Sequence, residues 1–112
     1  MLNAQSVENV RKSLTIGSSK ELMTTFDNQI ELSLNGNVSS YSQSQAEAIL
    51  RDFFKNNSVS SFNYIHHGNS NNGQLKYSIG NLKTSTDSYR VLIRFKEVNN
   101  KEVVYNMKFT KE

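Results

Sequence analysis

The chain reads as an α+β protein, N-terminal helices, a hairpin and a long helix packed on a curved antiparallel sheet. Three observations carry that reading. Apolar residues recur at helical spacing in the first quarter and again over 42–57, four later segments alternate with period two, and Asn, Gly or Asp-Ser pairs separate those segments where proline is absent altogether. At 112 residues the chain suits one domain spanning 1–112, burying about two thirds of the surface its unfolded form would expose.

The elements follow in order. Val7, Val10 and Leu14 share a helical face, with Ser6 as cap and Gly17 as stop, predicting a helix over roughly 5–16. Ser18-Ser19 open a short second helix in which Leu22, Met23 and Phe26 line up and Asn28 ends the run. From Gln29 the period changes: Ile30, Leu32 and Leu34 alternate with polar residues up to Asn35-Gly36, a strong hairpin signal, and a return strand runs to Tyr41. The segment 42–57 is a helix with Ser44 and Glu47 at capping-box spacing and Ala46, Ile49, Leu50, Phe53 and Phe54 on one broad face. Its phenylalanine pair is expected at the centre of the core.

Four strands then form a meander, 62–67, 75–84, 89–98 and 102–110, turning at Asn71-Asn72-Gly73, Thr86-Asp87-Ser88 and Asn99-Asn100. Alternation places Phe62, Tyr64 and His66 inward, then Leu75, Tyr77 and Ile79, then Tyr89, Val91, Ile93 and Phe95, while Arg90, Arg94 and Lys96 take the solvated side. In the last strand Val104 competes with Val103, Tyr105, Met107 and Phe109 for an inward place, which predicts a bulge near Tyr105-Asn106; Gly80 marks a second bend. Such bends wrap a sheet around a helix and leave a cavity between them, the natural place for function.

The pieces YSQSQAEAILRDFF, SFNYIHHG, YSIGNL, SYRVLIRFK and MKFTKE, in this order of elements, resemble the nuclear transport factor 2-like superfamily, a cystatin-like cone. More closely they are similar to a family of small secreted bacterial proteins without assigned function. The resemblance runs from about Val7 to the end. His66 and Gly68 match a His-x-Gly of that family. It implies export, to the periplasm or beyond, and it gives Leu2-Asn3-Ala4 the character of a signal remnant within residues 1–5; related cones dimerise through the open sheet, so a homodimer is implied as well. No cofactor comes with it. Ketosteroid isomerase chemistry would need an inward carboxylate, and the meander's inward positions hold none.

Composition narrows the classes. Thirteen basic against ten acidic residues give +3 without a basic run, which disfavours nucleic acid. There is no cysteine, and no apolar stretch approaches the roughly 20 residues of a membrane span. His66 and His67 are adjacent on a strand and point to opposite faces, a poor start for a metal site. Asp27, read at a helix end, and Asp52, read on the solvent side of the long helix, lack the setting of a catalytic base. The candidate pocket is therefore Tyr64, His66, Tyr77, Phe54 and Tyr105, holding a small apolar ligand or facing a protein partner in an exported binding module. The alternative is a small isomerase or lyase with His66 as acid or base.

Overall fold

The computed structural model describes residues 4–70 and 75–112. Residues 1–3, within the signal-like start, and the expected turn at Asn71-Asn72-Gly73 lie outside them. The elements are α1 (Ala4–Ile16), α2 (Ser19–Met23), β1 (Phe26–Leu34), β2 (Asn37–Ser42), α3 (Gln43–Asn56), β3 (Val59–Ser70), β4 (Leu75–Thr84), β5 (Ser88–Val98) and β6 (Lys101–Lys111).

Helix α1 buries Val10 and Leu14 and stops where expected. Gly17 adopts φ +67° while its N–H bonds Leu14 O and the Ser18 N–H reaches back to Ser13 O, a paired closure that only a left-handed residue permits. Helix α2 is shorter than its sequence predicts. The Thr24 and Thr25 hydroxyls donate to the terminal carbonyls of Glu21 and Leu22, both at 2.6 Å, and compete with further helical turns. Phe26 is therefore a strand residue, paired with Val104 and buried.

Asn35 and Gly36 both have positive φ, 54° and 93°, as a two-residue hairpin of primed type demands. The chain then enters α3 through Ser42, the last residue of β2, whose extended backbone (φ −70°, ψ 166°) makes it the cap. Its hydroxyl accepts from Gln45 N while Gln45 Oε1 accepts from Ser42 N. The capping box is thus Ser42/Gln45, and the predicted Ser44/Glu47 pair is corrected: Glu47 instead accepts from the Ser19 hydroxyl at 2.7 Å and ties α2 to α3. Ser42→Ala should lower stability by about 1 kcal/mol and Ser44→Ala by a few tenths at most, measured by urea unfolding.

The six strands run β2-β1-β6-β5-β4-β3. All neighbours are antiparallel except β1 and β6, which are parallel, so the sheet is mixed and not purely antiparallel as its sequence predicts. Hairpins alone explain β3 through β6; the return of β6 beside β1 is a long-range pairing that alternation does not encode. The predicted bulge in β6 is present: Arg94 opposes Asn106 but Phe95 opposes Val104, leaving Tyr105 as the extra residue. A further bulge lies in β3, where Tyr64 opposes Gly80 and His66 opposes Ile79, so Ile65 is extra and half exposed at 51%. It stands directly across from the predicted bend at Gly80.

The core lies between the helices and one sheet face. Val10, Leu14, Leu22, Leu50 and Phe54 meet Ile30, Leu32, Val91, Ile93, Phe95, Met107 and Phe109 there. Phe53 is half-buried beside it, its ring 5.3 Å from both Tyr89 and Phe109 and 5.5 Å from Phe54. The centre of the core is thus Phe54 with the Phe95 and Phe109 strand positions, and Phe53 forms its lid on the open side.

Candidate functional site

Strand parity decides which side chains meet. In β4 the buried residues are Ser78, Gly80, Leu82 and Thr84, so this set faces the helices. Leu75, Tyr77 and Ile79 are half-buried on the opposite, outer face, which corrects their predicted inward placement. The inner position at Gly80 is held by a glycine because the Phe62 ring of β3 covers it. A Cβ on Gly80 would fall 2.6 Å from Phe62 Cε1.

The β3 bulge then exchanges the two histidines. Tyr64, opposite Gly80, points inward as predicted, but beyond Ile65 it is His67, opposite Ser78, that shares its face. The rings of Tyr64 and His67 are 4.8 Å apart, and His67 Nδ1 lies 2.6 Å from the Ser78 hydroxyl. His66, opposite Ile79, is on the outer face and exposed, its Nε2 3.2 Å from the Tyr77 hydroxyl. The inward acid-base role predicted for His66 is therefore corrected: the ring has no access to the space between α3 and the sheet.

The five predicted pocket residues fall into three places. Phe54 is in the core. Tyr64 donates its hydroxyl to Val7 O of α1 at 2.8 Å. Burial pushes its phenol well above the usual tyrosine value, with the Glu8 carboxylate adding to the rise and Arg11 opposing it. The neutral phenol is the form the fold prefers, so this contribution is complete below the unfolded tyrosine value near about pH 10 and is lost as pH rises through the folded one. Tyr64→Phe should lose about 1 kcal/mol at neutral pH and show a shallower alkaline decline than the parent, read from urea midpoints across pH.

Tyr77 and Tyr105 do meet, on the outer face. With Leu75, Lys76, Leu92 and Arg94 they line a depression of about 350 Å³. The Tyr77 ring lies over Gly68, where an added Cβ would sit 2.5 Å from its Cε1. Lys96 holds its ammonium 5.4 Å from the centre of the Tyr105 ring and 3.0 Å from Asp27 Oδ2. Burial raises the Asp27 carboxyl, but the Lys96 hydrogen bond, the Asn28 N–H and the Lys96 charge outweigh it and hold the group below the ordinary carboxylate range. Asp27 is thus a strand residue of β1, not the helix-end residue that the sequence predicts.

A second depression, about 460 Å³ and open to solvent, flanks α3 and is lined by Leu34, Ala48, Ile49, Asp52, Phe53 and neighbouring asparagines. Asp52 is exposed there, on the solvent side as expected. Among the described residues no three His, Asp or Glu side chains gather where they could hold a metal ion, and no helix is long and apolar enough to cross a membrane.

Leu92 and Arg94 escaped the sequence reading as site residues. The signal was present in β5, where Leu92 interrupts an otherwise basic row of Arg90, Arg94 and Lys96. A lone apolar residue in a solvated row is common; what sets Leu92 apart is its place beside Leu75, Tyr77 and Tyr105 around one depression.

Comparison with known proteins places this architecture. The family described as a domain of unknown function, DUF4783, matches residues 7–110, and the chain belongs to that family. It is similar to a solved DUF4783 protein from Bacteroides uniformis, 28% identical with TM-score 0.88 over 94% of this chain and 95% of that one. A Nostoc punctiforme domain of unknown function with a cystatin-like fold is 11% identical with TM-score 0.77, covering all of this chain and 80% of the other. A protein designated Rd1NTF2_05 with five substitutions is 15% identical with TM-score 0.71, covering 95% and 94%. The fold is nuclear transport factor 2-like and cystatin-like, as the sequence resemblance implied. No curated protein matches.

Proposed function

We propose that this DUF4783 domain is a non-enzymatic interaction module, exported from a bacterial cell, whose working surface is the outer face of the sheet. One observation carries the reading. The space between α3 and the sheet, where related cones have room for a ligand, is occupied by Phe53, Phe54, Phe95 and Phe109, while the outer face keeps Leu75, Tyr77, Leu92 and Tyr105 only half covered beneath Arg94. Tyrosine and arginine over aliphatic carbon are the residues that anchor protein contacts. His66 supports this role through its contact with Tyr77. Export is supported by the resemblance to a family of small secreted bacterial proteins.

A photo-cross-linking amino acid placed at Leu92, and in a second variant at Ala48 of α3, tests it in the natural host. A discrete protein adduct from Leu92 and none from Ala48, in the exported fraction, is the expected result. Adducts from Ala48 alone would move the site to the α3 depression, and a cytoplasmic location would remove the export part of the proposal.

A further inference from the structure

Charge is unevenly spread over this chain. Residues 4–70 carry five basic and six acidic side chains, whereas 75–112 carry eight basic and four acidic, so β4 to β6 hold the whole positive excess. Parity concentrates it further. Lys83, Arg90, Arg94, Lys96 and Lys108 all project from the outer face, while by the same register Glu97 and Glu102 offset Lys76 and Lys111 on the helix-bearing one. On the outer face Asp27 pairs with Lys96, and Glu112 pairs with Arg90 at 3.1 Å. Glu31 accepts from Asn106 at 2.6 Å. Among the described residues no carboxylate forms an ion pair with Lys83, Arg94 or Lys108. Arg94 is the one of these that stands at the rim of the Tyr77–Tyr105 depression.

Building on the proposed interaction role, we infer that this outer face receives an acidic, extended segment of another protein, its carboxylates on Arg94 and Lys108 and its apolar side chains against Leu92 and Tyr105. The charge complementarity selects this occupant over the two others the face might admit. A second copy related by a two-fold axis would set this net positive face against itself, and like charge across an interface opposes association. A nucleic acid strand stacks its bases on free aromatic faces. Here one face of Tyr77 is spent on Gly68 and Tyr105 lies beneath Lys96, and the floor between them is aliphatic, which suits leucine-like side chains better than bases. Arg94 is exposed and its guanidinium can hold a carboxylate by two parallel hydrogen bonds.

The test is a fluorescence-polarisation titration with a glutamate-rich peptide carrying two spaced leucines, the same peptide with lysine for every glutamate, and oligothymidylate. The glutamate peptide should bind, its affinity should fall with added salt, and Arg94→Glu should weaken it by at least about tenfold while Arg51→Glu on α3 leaves it unchanged. Equal binding of both peptides, equal losses in the two variants, tighter binding of oligothymidylate, or an Arg94-dependent dimer in sedimentation would overturn the inference. The two proposals fail separately. A Leu92 adduct in cells without glutamate-peptide binding leaves the surface standing and removes its acidic partner, whereas the absence of any Leu92 adduct removes the interaction role itself.

Discussion

Phe109→Ala should destabilise the fold by about 3–5 kcal/mol, the range for deleting a fully buried phenylalanine whose surroundings cannot close the gap. Phe109 is wholly inaccessible, and its neighbours come from three directions that cannot move together. Val91 opposes it in β5, Leu34 opposes it in β1 across the parallel pairing, and Phe53 covers it from α3 at 5.3 Å. A domain of this size has about 5–15 kcal/mol in all, so the variant should unfold at a much lower urea concentration with an unchanged slope. Val38→Ala, on the exposed edge strand, should change stability by less than about 0.5 kcal/mol. A Phe109 loss as small as that would mean that the helix and sheet layers are not joined at this ring.

Much of the fold was legible, and the failures have a common cause. Period-two alternation in β5 put Tyr89, Val91, Ile93 and Phe95 inward, and all four are buried. It succeeded there because the opposite parity is charged. In β4 both parities were open, Leu75-Tyr77-Ile79 against Ser78-Gly80-Leu82, and hydrophobicity chose the wrong one. The smaller set is inward because aromatic rings from the neighbouring strand need the room, and that requirement is visible only once β3 is paired with β4.

The candidate site was less legible, for a related reason. Two adjacent valines in β6 compete for one face, and from that conflict the bulge at Tyr105 follows. The same conflict stands in β3, where Tyr64 and Ile65 are adjacent and compete for one face. One extra residue reverses the parity of all that follows, so His66 and His67 exchanged faces and the predicted pocket came apart. Of its members Tyr77 and Tyr105 line one depression, on the outer face and not the inner one.

Gly80→Ala tests the device that sets this parity, and it should be the costliest single-methyl change in the sheet, about 3 kcal/mol at the upper end of what overpacking produces. The new Cβ would lie 2.6 Å from Phe62 Cε1 and 2.9 Å from the Asn63 carbonyl oxygen. Phe62 is buried and the carbonyl belongs to the paired backbone, so neither can yield without shifting β3 against β4. Gly68→Ala is the control. The atoms nearest its Cβ belong to the far end of the Tyr77 ring, which is half-buried on the outer face and can swing away, so stability should change by less than about 1 kcal/mol. That variant should instead disturb the His66–Tyr77 contact and weaken any ligand of the outer face. Urea midpoints for both, with Phe62→Leu added to Gly80→Ala, separate the ring from the carbonyl: the added change should recover part of the loss and not all of it. If Gly80→Ala proved as mild as Gly68→Ala, β3 would be free to slide past β4. The close packing at Gly80 would then have no part in fixing the bulge at Ile65 or the face on which His66 stands.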